Sequence, residues 1–178
     1  MYYITFIFVS SYYIHNKIDK VILDNKNLIS SVLMTKFIDS AAYGGRNIRE
    51  EIYNEFDGTV LDMCSGIGFS TKPGNVGVDI SGKMVSMSKI LNPKNTYICG
   101  DVSTYGKNDE FDIVSIMFAF HEIPTYLHRD IIRNAIRVAR RKVVVIDISN
   151  KYKPHNHMLS NEPYILDYLN NFENVMNN

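Results

Sequence analysis

The chain has 178 residues and a mass of 20.4 kDa, a length typical of one domain. Its 19 basic and 19 acidic residues leave a net charge of zero, which disfavours DNA and RNA binders because these usually concentrate positive charge on one face. Hydrophobic residues make up 46% of the chain, which excludes disorder over most of its length, and two cysteines exclude a disulfide scaffold and indicate a reducing, cytoplasmic compartment.

The chain begins with an aromatic and apolar stretch, MYYITFIFV. It lacks the basic start and the clean cleavage site of a signal peptide. It is also far shorter than the ~20 residues of a membrane-spanning helix. We therefore interpret it as a buried strand or an irregular arm, with no stable membrane span. Residues 17–39 have helical apolar spacing, so residues 1–40 are predicted to be an arm and a helix. Met34 begins a stretch that resembles an ordinary N-terminus, which makes Met1 and Met34 alternative starts.

From residue 41 to 149 the pattern alternates between helices and strands. Strands are predicted over residues 59–63, 75–79, 96–99, 111–118 and 142–148, and helices over 47–56, 82–91 and 125–140. Ser81 is the predicted N-cap of the second helix. The residues expected to face the core are Met84, Val85, Met87, Ser88 and Leu91 in that helix, and Leu127, Ile131, Ala135 and Val138 in the third. The alternation predicts an α/β fold with a parallel sheet.

Two segments depart from a regular alternation. The connection between the first two of these strands is short, with only residues 66–74 available for a crossover helix. Pro73-Gly74 would break a helix there, so the first crossover helix is predicted to shrink to about one turn. In the tail, residues 150–161 are predicted to be a polar loop, and residues 162–171 a helix with Pro163 in its first turn.

The sequence VLDMCSGIGFST, residues 60–71, is the segment that indicates most about function. A strand ends near an acidic residue and a Gly-x-Gly turn follows, which lets the backbone turn tightly and approach a ligand. Asp62, Asp79 and Asp101 lie at the ends of three successive strands, so we expect them at one edge of the sheet, where open α/β sheets bind ligands. Asp79 follows Asp62 at a spacing typical of an acidic residue that binds ribose hydroxyls. Asp101 closes the third strand, where a carboxylate can accept a hydrogen bond from an adenine amino group.

These motifs resemble those of the class I S-adenosylmethionine-dependent methyltransferases over residues 41–149. VLDMCSGIGFST resembles their motif I, GVDIS the ribose-binding segment and GDV the adenine-binding segment. FDIVSIMFAFHEIP resembles the fourth strand and its loop, and RVARRKVVVIDIS the next helix and the fifth strand. The resemblance is closest to small-molecule methyltransferases such as those of quinone biosynthesis. It implies a Rossmann-like three-layer sandwich and S-adenosylmethionine as cofactor. A nicotinamide cofactor is disfavoured because Thr71 occupies the last glycine position of the G-x-G-x-x-G fingerprint.

The resemblance also implies which residues contact the cofactor. From its methionine part to its adenine, they are Asp62, Cys64 (in place of the first motif glycine), Gly66, Gly68 and Phe118, then Asp79 on the ribose, then Ile80, Met84, Asp101 and Val102 around the adenine, with Tyr43 as a cover.

His121 and Glu122 follow the fourth strand, in the loop that contacts the acceptor in this family. A histidine there can accept a proton from a hydroxyl acceptor, although it can equally be a residue that only shapes the pocket. The loop lacks the Asn/Asp-Pro-Pro-aromatic signature of enzymes that methylate planar nitrogens, which also disfavours nucleic acid. No metal site is predicted, since two histidines in the polar loop at 155–157 are too few.

The tail determines how complete the domain is expected to be. The family's seven-stranded sheet ends in an antiparallel sixth and seventh strand, whereas residues 150–178 hold one predicted helix and no hairpin. The C-terminal strands are therefore expected to be truncated, and an uncovered sheet edge would favour a homodimer. The leading hypothesis is a methyltransferase acting on a small-molecule or lipid-like acceptor. The alternative is a non-catalytic methyltransferase-like binding or partner protein.

Overall fold

The computed structural model describes residues 3–9, 44–149, 151–154 and 156–176. Its strands are β1 (Tyr3–Val9), β2 (Val60–Met63), β3 (Val76–Asp79), β4 (Thr96–Cys99), β5 (Phe111–Met117) and β6 (Ala139–Ile148). They form one six-stranded sheet in the order β1-β6-β5-β2-β3-β4, and every neighbouring pair is parallel. The predicted parallel sheet is confirmed.

Five α-helices accompany the sheet in the described part of the chain. They are α1 (Ile48–Asn54), α2 (Gly82–Leu91), α3 (Thr125–Val138), α4 (Asn156–Asn161) and α5 (Ile165–Met176), with a short 3₁₀ helix at Phe120–Glu122. Ser81 caps α2 as predicted, because its hydroxyl accepts a hydrogen bond from the Met84 N–H. The predicted helix over 17–39 and the predicted cofactor cover, Tyr43, lie outside the described residues. None of the helices described is long and apolar enough to cross a membrane.

The central strands are buried on both faces, as expected for strands covered by two helical layers. On one face, Ile52 of α1 and Phe56 pack against alternate residues of β2, β5 and β6. On the other face, α3 and α5 cover the remaining residues, and Tyr168 and Phe172 of α5 join the larger core cluster. The predicted three-layer, Rossmann-like arrangement is therefore confirmed.

The predicted inward faces of two helices are only partly correct. In α2, Val85 and Ser88 are buried, whereas Met84 and Leu91 are exposed, because this helix covers only the short strands at one end of the sheet. In α3, Leu127 is 37% exposed and polar residues occupy buried positions instead. The Asn134 amide, for example, donates to the Val102 and Tyr105 carbonyl oxygens and ties the β4–β5 connection to the helix.

The first crossover contains no helix at all, so the expected single helical turn is wrong. Residues 64–74 form a series of turns instead. The ring of Tyr97 lies against Gly77 on this face of the sheet, and its hydroxyl donates to the Gly68 carbonyl at 3.3 Å. The Asn95 amide donates in turn to the Tyr97 hydroxyl at 3.0 Å. One aromatic side chain thus supports a connection that usually requires a helix.

The two ends of the chain also differ from expectation. The strand interpretation of the N-terminal stretch is confirmed, and β1 pairs in parallel with Lys142–Ile148 of β6. The edge of β6 that was expected to be uncovered is therefore occupied by β1. The predicted loop over 150–161 contains α4. The predicted last helix is present as α5, but it begins at Ile165, so Pro163 precedes the helix and does not lie in its first turn. No strand follows Ile148 in the described part of the tail.

Candidate functional site

Asp79 links the end of β3 to the turn that follows β2 and contains Gly66 and Gly68 (residues 64–71, the glycine turn). Its Oδ2 accepts a hydrogen bond from the Gly66 N–H at 2.8 Å, and its Oδ1 accepts one from the Ser81 N–H at 2.8 Å. Because β2 and β3 are parallel neighbours, the carboxylate and the turn meet at the carboxyl edge of the sheet. The structure therefore brings together the predicted ribose acid and one of the predicted motif glycines, Gly66.

Asp62 lies beneath the same turn and is almost fully buried. Its Oδ2 accepts from the Thr71 hydroxyl at 2.7 Å and its Oδ1 from the Ser115 hydroxyl at 3.4 Å. Burial raises the pKa of Asp62 to about 7, although these hydrogen bonds and the charge of Arg49 oppose the increase. This carboxyl braces the turn from inside the protein and is enclosed by protein groups.

Cys64 adopts a left-handed backbone conformation with φ of 59°, which explains why the family pattern has a glycine at this position. Burial raises the pKa of its thiol, so the group stays protonated and behaves as a small apolar side chain. Gly68, also in the turn, has φ of 85°, and a Cβ there would collide with the Tyr97 hydroxyl. The turn therefore depends on small residues at two of its positions.

The predicted adenine contacts are mostly accessible. Ile80 is 77% exposed and Met84 39% exposed, and both follow β3 at the carboxyl edge. Asp101 is also exposed; its Oδ1 accepts from the Ser103 N–H at 2.8 Å, and hydrogen bonding by Ser103 lowers its pKa. Val102 differs, because its side chain belongs to the core. Only the backbone of Val102 is therefore suited to contact a ligand.

Phe118 follows β5 with φ of 55°, and its N–H donates to the Ile146 carbonyl at 2.6 Å. The guanidinium carbon of Arg49, on α1, lies 4.4 Å from the centre of the Phe118 ring. Its Nη1 also donates to the Ser70 hydroxyl in the glycine turn at 2.7 Å. Arg49 was not predicted from the sequence, because nothing in the local sequence distinguishes it from the other charged residues of α1.

The loop after β5 is tied to the end of β6 by Asp147, a buried residue that the sequence analysis also missed. Its Oδ1 lies 2.5 Å from the Nδ1 of His121, and its Oδ2 accepts from the Phe120 N–H at 2.7 Å. An acidic residue inside the apolar run KVVVIDI was the signal that could have identified it. His121 itself is buried, so it is not an open surface base.

The other ring nitrogen of His121 faces two more carboxylates. Its Nε2 lies 3.8 Å from Oε1 of Glu122 and 3.8 Å from Oε2 of Glu162. Glu122 is largely exposed, whereas burial raises the pKa of Glu162 to about 7. Burial by itself would lower the pKa of His121, but the charge and hydrogen bond of Asp147, together with the two glutamates, raise it to about 9. At neutral pH the imidazole is therefore protonated and positively charged.

A cleft of about 550 Å³ opens beside the turn, between α1 and the C-terminal end of α2. It is lined by residues from 45 to 53, from 68 to 73 and from 91 to 95. Of the predicted contacts in the described part of the chain, Gly68 alone lines it. The cleft lies where the chain forms turns instead of a first crossover helix.

No group of histidine, cysteine and acidic side chains suited to a metal ion occurs among the residues described.

The family model described as "Methyltransferase domain" matches residues 61–161, more than half of the chain. The chain belongs to the class I S-adenosylmethionine-dependent methyltransferases. The matched range of this methyltransferase domain includes the glycine turn, the three strand-end aspartates, the His121 loop and α4. A search of curated protein sequences finds no match to the chain.

Solved structures show the same fold. A methyltransferase of Aquifex aeolicus has a TM-score of 0.52 and 18% identity, over 71% of this chain and 76% of its own. A Pyrococcus horikoshii protein has a TM-score of 0.51 and 22% identity, over 61% and 59%. Phosphoethanolamine N-methyltransferase 1 of Haemonchus contortus, solved with phosphoethanolamine and S-adenosylhomocysteine, has a TM-score of 0.51 and 15% identity, over 62% and 28%. The chain thus spans 59% of the length of the Pyrococcus horikoshii protein and 28% of the length of the Haemonchus contortus enzyme.

Proposed function

We propose that the methyltransferase domain binds S-adenosylmethionine across the carboxyl ends of β2 to β5 and transfers its methyl group to a small-molecule or lipid-like acceptor. The observation that carries this proposal is the placement of Asp79 beside the glycine turn. The Gly66 and Ser81 N–H groups fix the orientation of its carboxylate, and each oxygen has a second lone pair for a ribose hydroxyl. A strand-end carboxylate at this position holds ribose hydroxyls in other nucleotide-binding α/β folds.

The neighbouring residues fit the remaining parts of the cofactor. The exposed side chains of Ile80 and Met84 offer apolar surface to the faces of an adenine, and Asp101 offers a carboxylate to its amino group. On the other side of Asp79, the turn at Gly66 and the ring of Phe118 flank the position assigned to the methionine part. Exposed large apolar side chains at a site rimmed by polar groups are typical of a ligand surface.

The bound cofactor would supply a sulfonium methyl group, an electrophile that needs a nucleophile in line with it. The chain's own contribution is then mainly positioning. His121 and Glu122 are the proposed acid–base residues, but the pKa of about 9 for His121 means that its ring carries a proton at neutral pH. This favours acceptors that need no base, such as amines and nucleophilic carbons, or a role for the exposed Glu122.

The decisive experiment is calorimetric titration of S-adenosylhomocysteine into the full chain. We expect saturable binding at one site, at least about 10-fold weaker binding in Asp79→Asn because the negative charge and one of the two acceptor oxygens are lost, and no change in Asp130→Asn. Asp130 is a matched control because it is an exposed aspartate on α3, where it pairs with Arg133. Absence of saturable binding, or equal affinity in Asp79→Asn and the control, contradicts the proposal.

The non-catalytic alternative is favoured by one observation, the absence of any strand after β6 in the described part of the tail. Incubating the chain with methyl-labelled cofactor and fractionated small-molecule and lipid extracts separates the two functions. A labelled product that is lost in Asp79→Asn supports catalysis, whereas cofactor binding without any product supports a binding or partner protein. The proposal also includes a cytoplasmic location, in keeping with Cys64 and Cys99, which are both free thiols.

A further inference from the structure

Arg49 connects three parts of the molecule that meet at the proposed methionine end of the cofactor. It belongs to α1, its Nη1 donates to the Ser70 hydroxyl at 2.7 Å, and its guanidinium lies over the Phe118 ring at 4.4 Å. It also lines the cleft beside the glycine turn. The aromatic ring restricts the plane of the guanidinium, so the charge is held between the turn and the end of β5.

Three N–H groups of the glycine turn already donate hydrogen bonds within the protein. In a regular α/β unit, the crossover helix would begin here and would present free N–H groups and a partial positive charge. In this chain no such helix forms. The Gly66 N–H donates to Asp79, the Gly68 N–H to the Ser65 carbonyl at 2.8 Å, and the Thr71 N–H to the Gly68 carbonyl at 3.4 Å. A positive charge from another element would therefore strengthen the binding of a carboxylate at this turn.

We propose that Arg49 binds the α-carboxylate of the cofactor's methionine part, in place of the missing helix N-terminus. This inference rests on the proposed function. A guanidinium presents a planar fork of N–H donors that matches a carboxylate in a bidentate geometry. In this geometry Ser70 and Phe118 orient the fork, and Arg49 contributes to affinity for ligands that carry an amino-acid carboxylate.

The test compares two ligands that differ only in this carboxylate, S-adenosylhomocysteine and its decarboxylated analogue S-adenosyl-3-thiopropylamine, by calorimetry on the full chain. We expect Arg49→Gln to weaken binding of S-adenosylhomocysteine by about 10- to 100-fold, the range for a charge-assisted pair, and to leave the analogue within about threefold. Arg133→Gln is the control, since Arg133 is exposed on α3, where it pairs with Asp130; it should change neither affinity.

The outcomes separate this inference from the proposed function. If the unmodified chain binds S-adenosylhomocysteine and Arg49→Gln weakens both ligands equally, or weakens neither, Arg49 is not the carboxylate ligand although the proposed function stands. If the unmodified chain binds neither ligand, both proposals are overturned. Melting temperatures check that the variants fold. Arg49→Lys keeps the charge but loses the planar fork, so its preference for the carboxylate should lie between those of the original chain and Arg49→Gln; a full preference in Arg49→Lys would count against the bidentate geometry.

Discussion

Asp147 holds the ring of His121 inside the protein, with its Oδ1 2.5 Å from the imidazole Nδ1. The same carboxylate accepts hydrogen bonds from the Phe120 N–H at 2.7 Å and, through Oδ1, from the Ile148 N–H at 2.7 Å. One side chain at the end of β6 therefore fixes both the ring and the backbone of the loop after β5. The charge on His121 and the shape of this loop depend on each other.

We expect His121 to titrate near pH 9 and to stabilise the fold only below that pH. The pKa of His121 is about 9 in the folded protein, compared with 6.5 for an unperturbed histidine. A proton that is bound more tightly in the folded state stabilises it, so the contribution is complete below pH 6.5 and disappears as the pH rises through 9. It amounts to about 3 kcal/mol at most. NMR titration of the ring and unfolding free energies measured from pH 6 to 10 check both statements.

Asp147→Asn provides the comparison for this prediction. Without the negative charge of Asp147, burial opposes protonation and only Glu122 and Glu162 favour it, so we expect the pKa of His121 to fall. The loss of stability between pH 6.5 and 9 should then become smaller, while the variant is less stable than the original chain at pH 6. A ring that titrates at the same pH in both proteins would show that Asp147 does not control the charge.

The elements between residues 44 and 149 could be predicted because their signals are local. Gly and Pro bound the apolar runs, and β4 and α2 begin and end at the predicted residues. The shared edge of Asp62, Asp79 and Asp101 also followed from strand ends alone, since parallel strands that alternate with helices place these ends together. Local patterns therefore determined most of the domain and the outline of its site.

The remaining features depend on contacts between distant segments. The pairing of β1 with β6 joins residues at the two ends of the fold, and no periodicity within either strand specifies it. The absence of a crossover helix reflects the Tyr97 ring, which belongs to β4 and lies against Gly77. The contacts of Arg49 and Asp147 likewise join residues that are 21 and 26 positions apart. Sequence patterns identify such residues only after the strand order is known.

Asp62 should make the fold less stable as the pH rises. Its pKa is about 7 in the folded protein and 3.8 in the reference state, because burial penalises the charged form. The folded state therefore binds this proton more tightly, and the stabilisation present below pH 3.8 disappears as the pH rises to 7. Asp62→Asn removes the titration and keeps an acceptor for the Thr71 hydroxyl. Between pH 5 and 8 we expect the variant to gain about 2 kcal/mol relative to the original chain.

Urea unfolding at several pH values measures this difference. Asp130→Asn serves as the control, since this exposed residue should give a constant offset over the same range. A constant offset in Asp62→Asn as well would mean that Asp62 is charged throughout, and that the hydrogen bonds from Thr71 and Ser115 outweigh its burial.

The two cysteines should differ strongly in reactivity. Cys99, at the end of β4, is exposed, whereas burial raises the pKa of Cys64. Because the thiolate is the reactive form, we expect a disulfide reagent such as Ellman's reagent to modify one thiol rapidly in the folded chain and both in urea. The rapid phase should be absent in Cys99→Ser and unchanged in Cys64→Ser. Two rapid phases in the folded chain would contradict the raised pKa of the Cys64 thiol.

Gly77 is required because of its contact with Tyr97. A Cβ at residue 77 would lie 2.7 Å from Cδ1 of Tyr97 and 2.8 Å from the Ser65 hydroxyl, well inside normal contact distances. We expect Gly77→Ala to destabilise the protein by about 1–3 kcal/mol, the usual cost of overpacking. Gly100→Ala is the matched control, because a Cβ at residue 100 would meet its nearest neighbours at 3.6 and 3.7 Å; it should change stability by less than about 0.5 kcal/mol.

A double-mutant cycle tests whether the ring of Tyr97 causes the cost. Tyr97→Ala removes the ring and is itself destabilising, because it also removes the support of the Gly68 turn. In that background, Gly77→Ala should cost much less than in the original chain, giving a coupling energy of about 1 kcal/mol or more. If the cost of Gly77→Ala is the same in both backgrounds, the obstruction comes from Ser65, and Tyr97 does not take the place of the missing crossover helix.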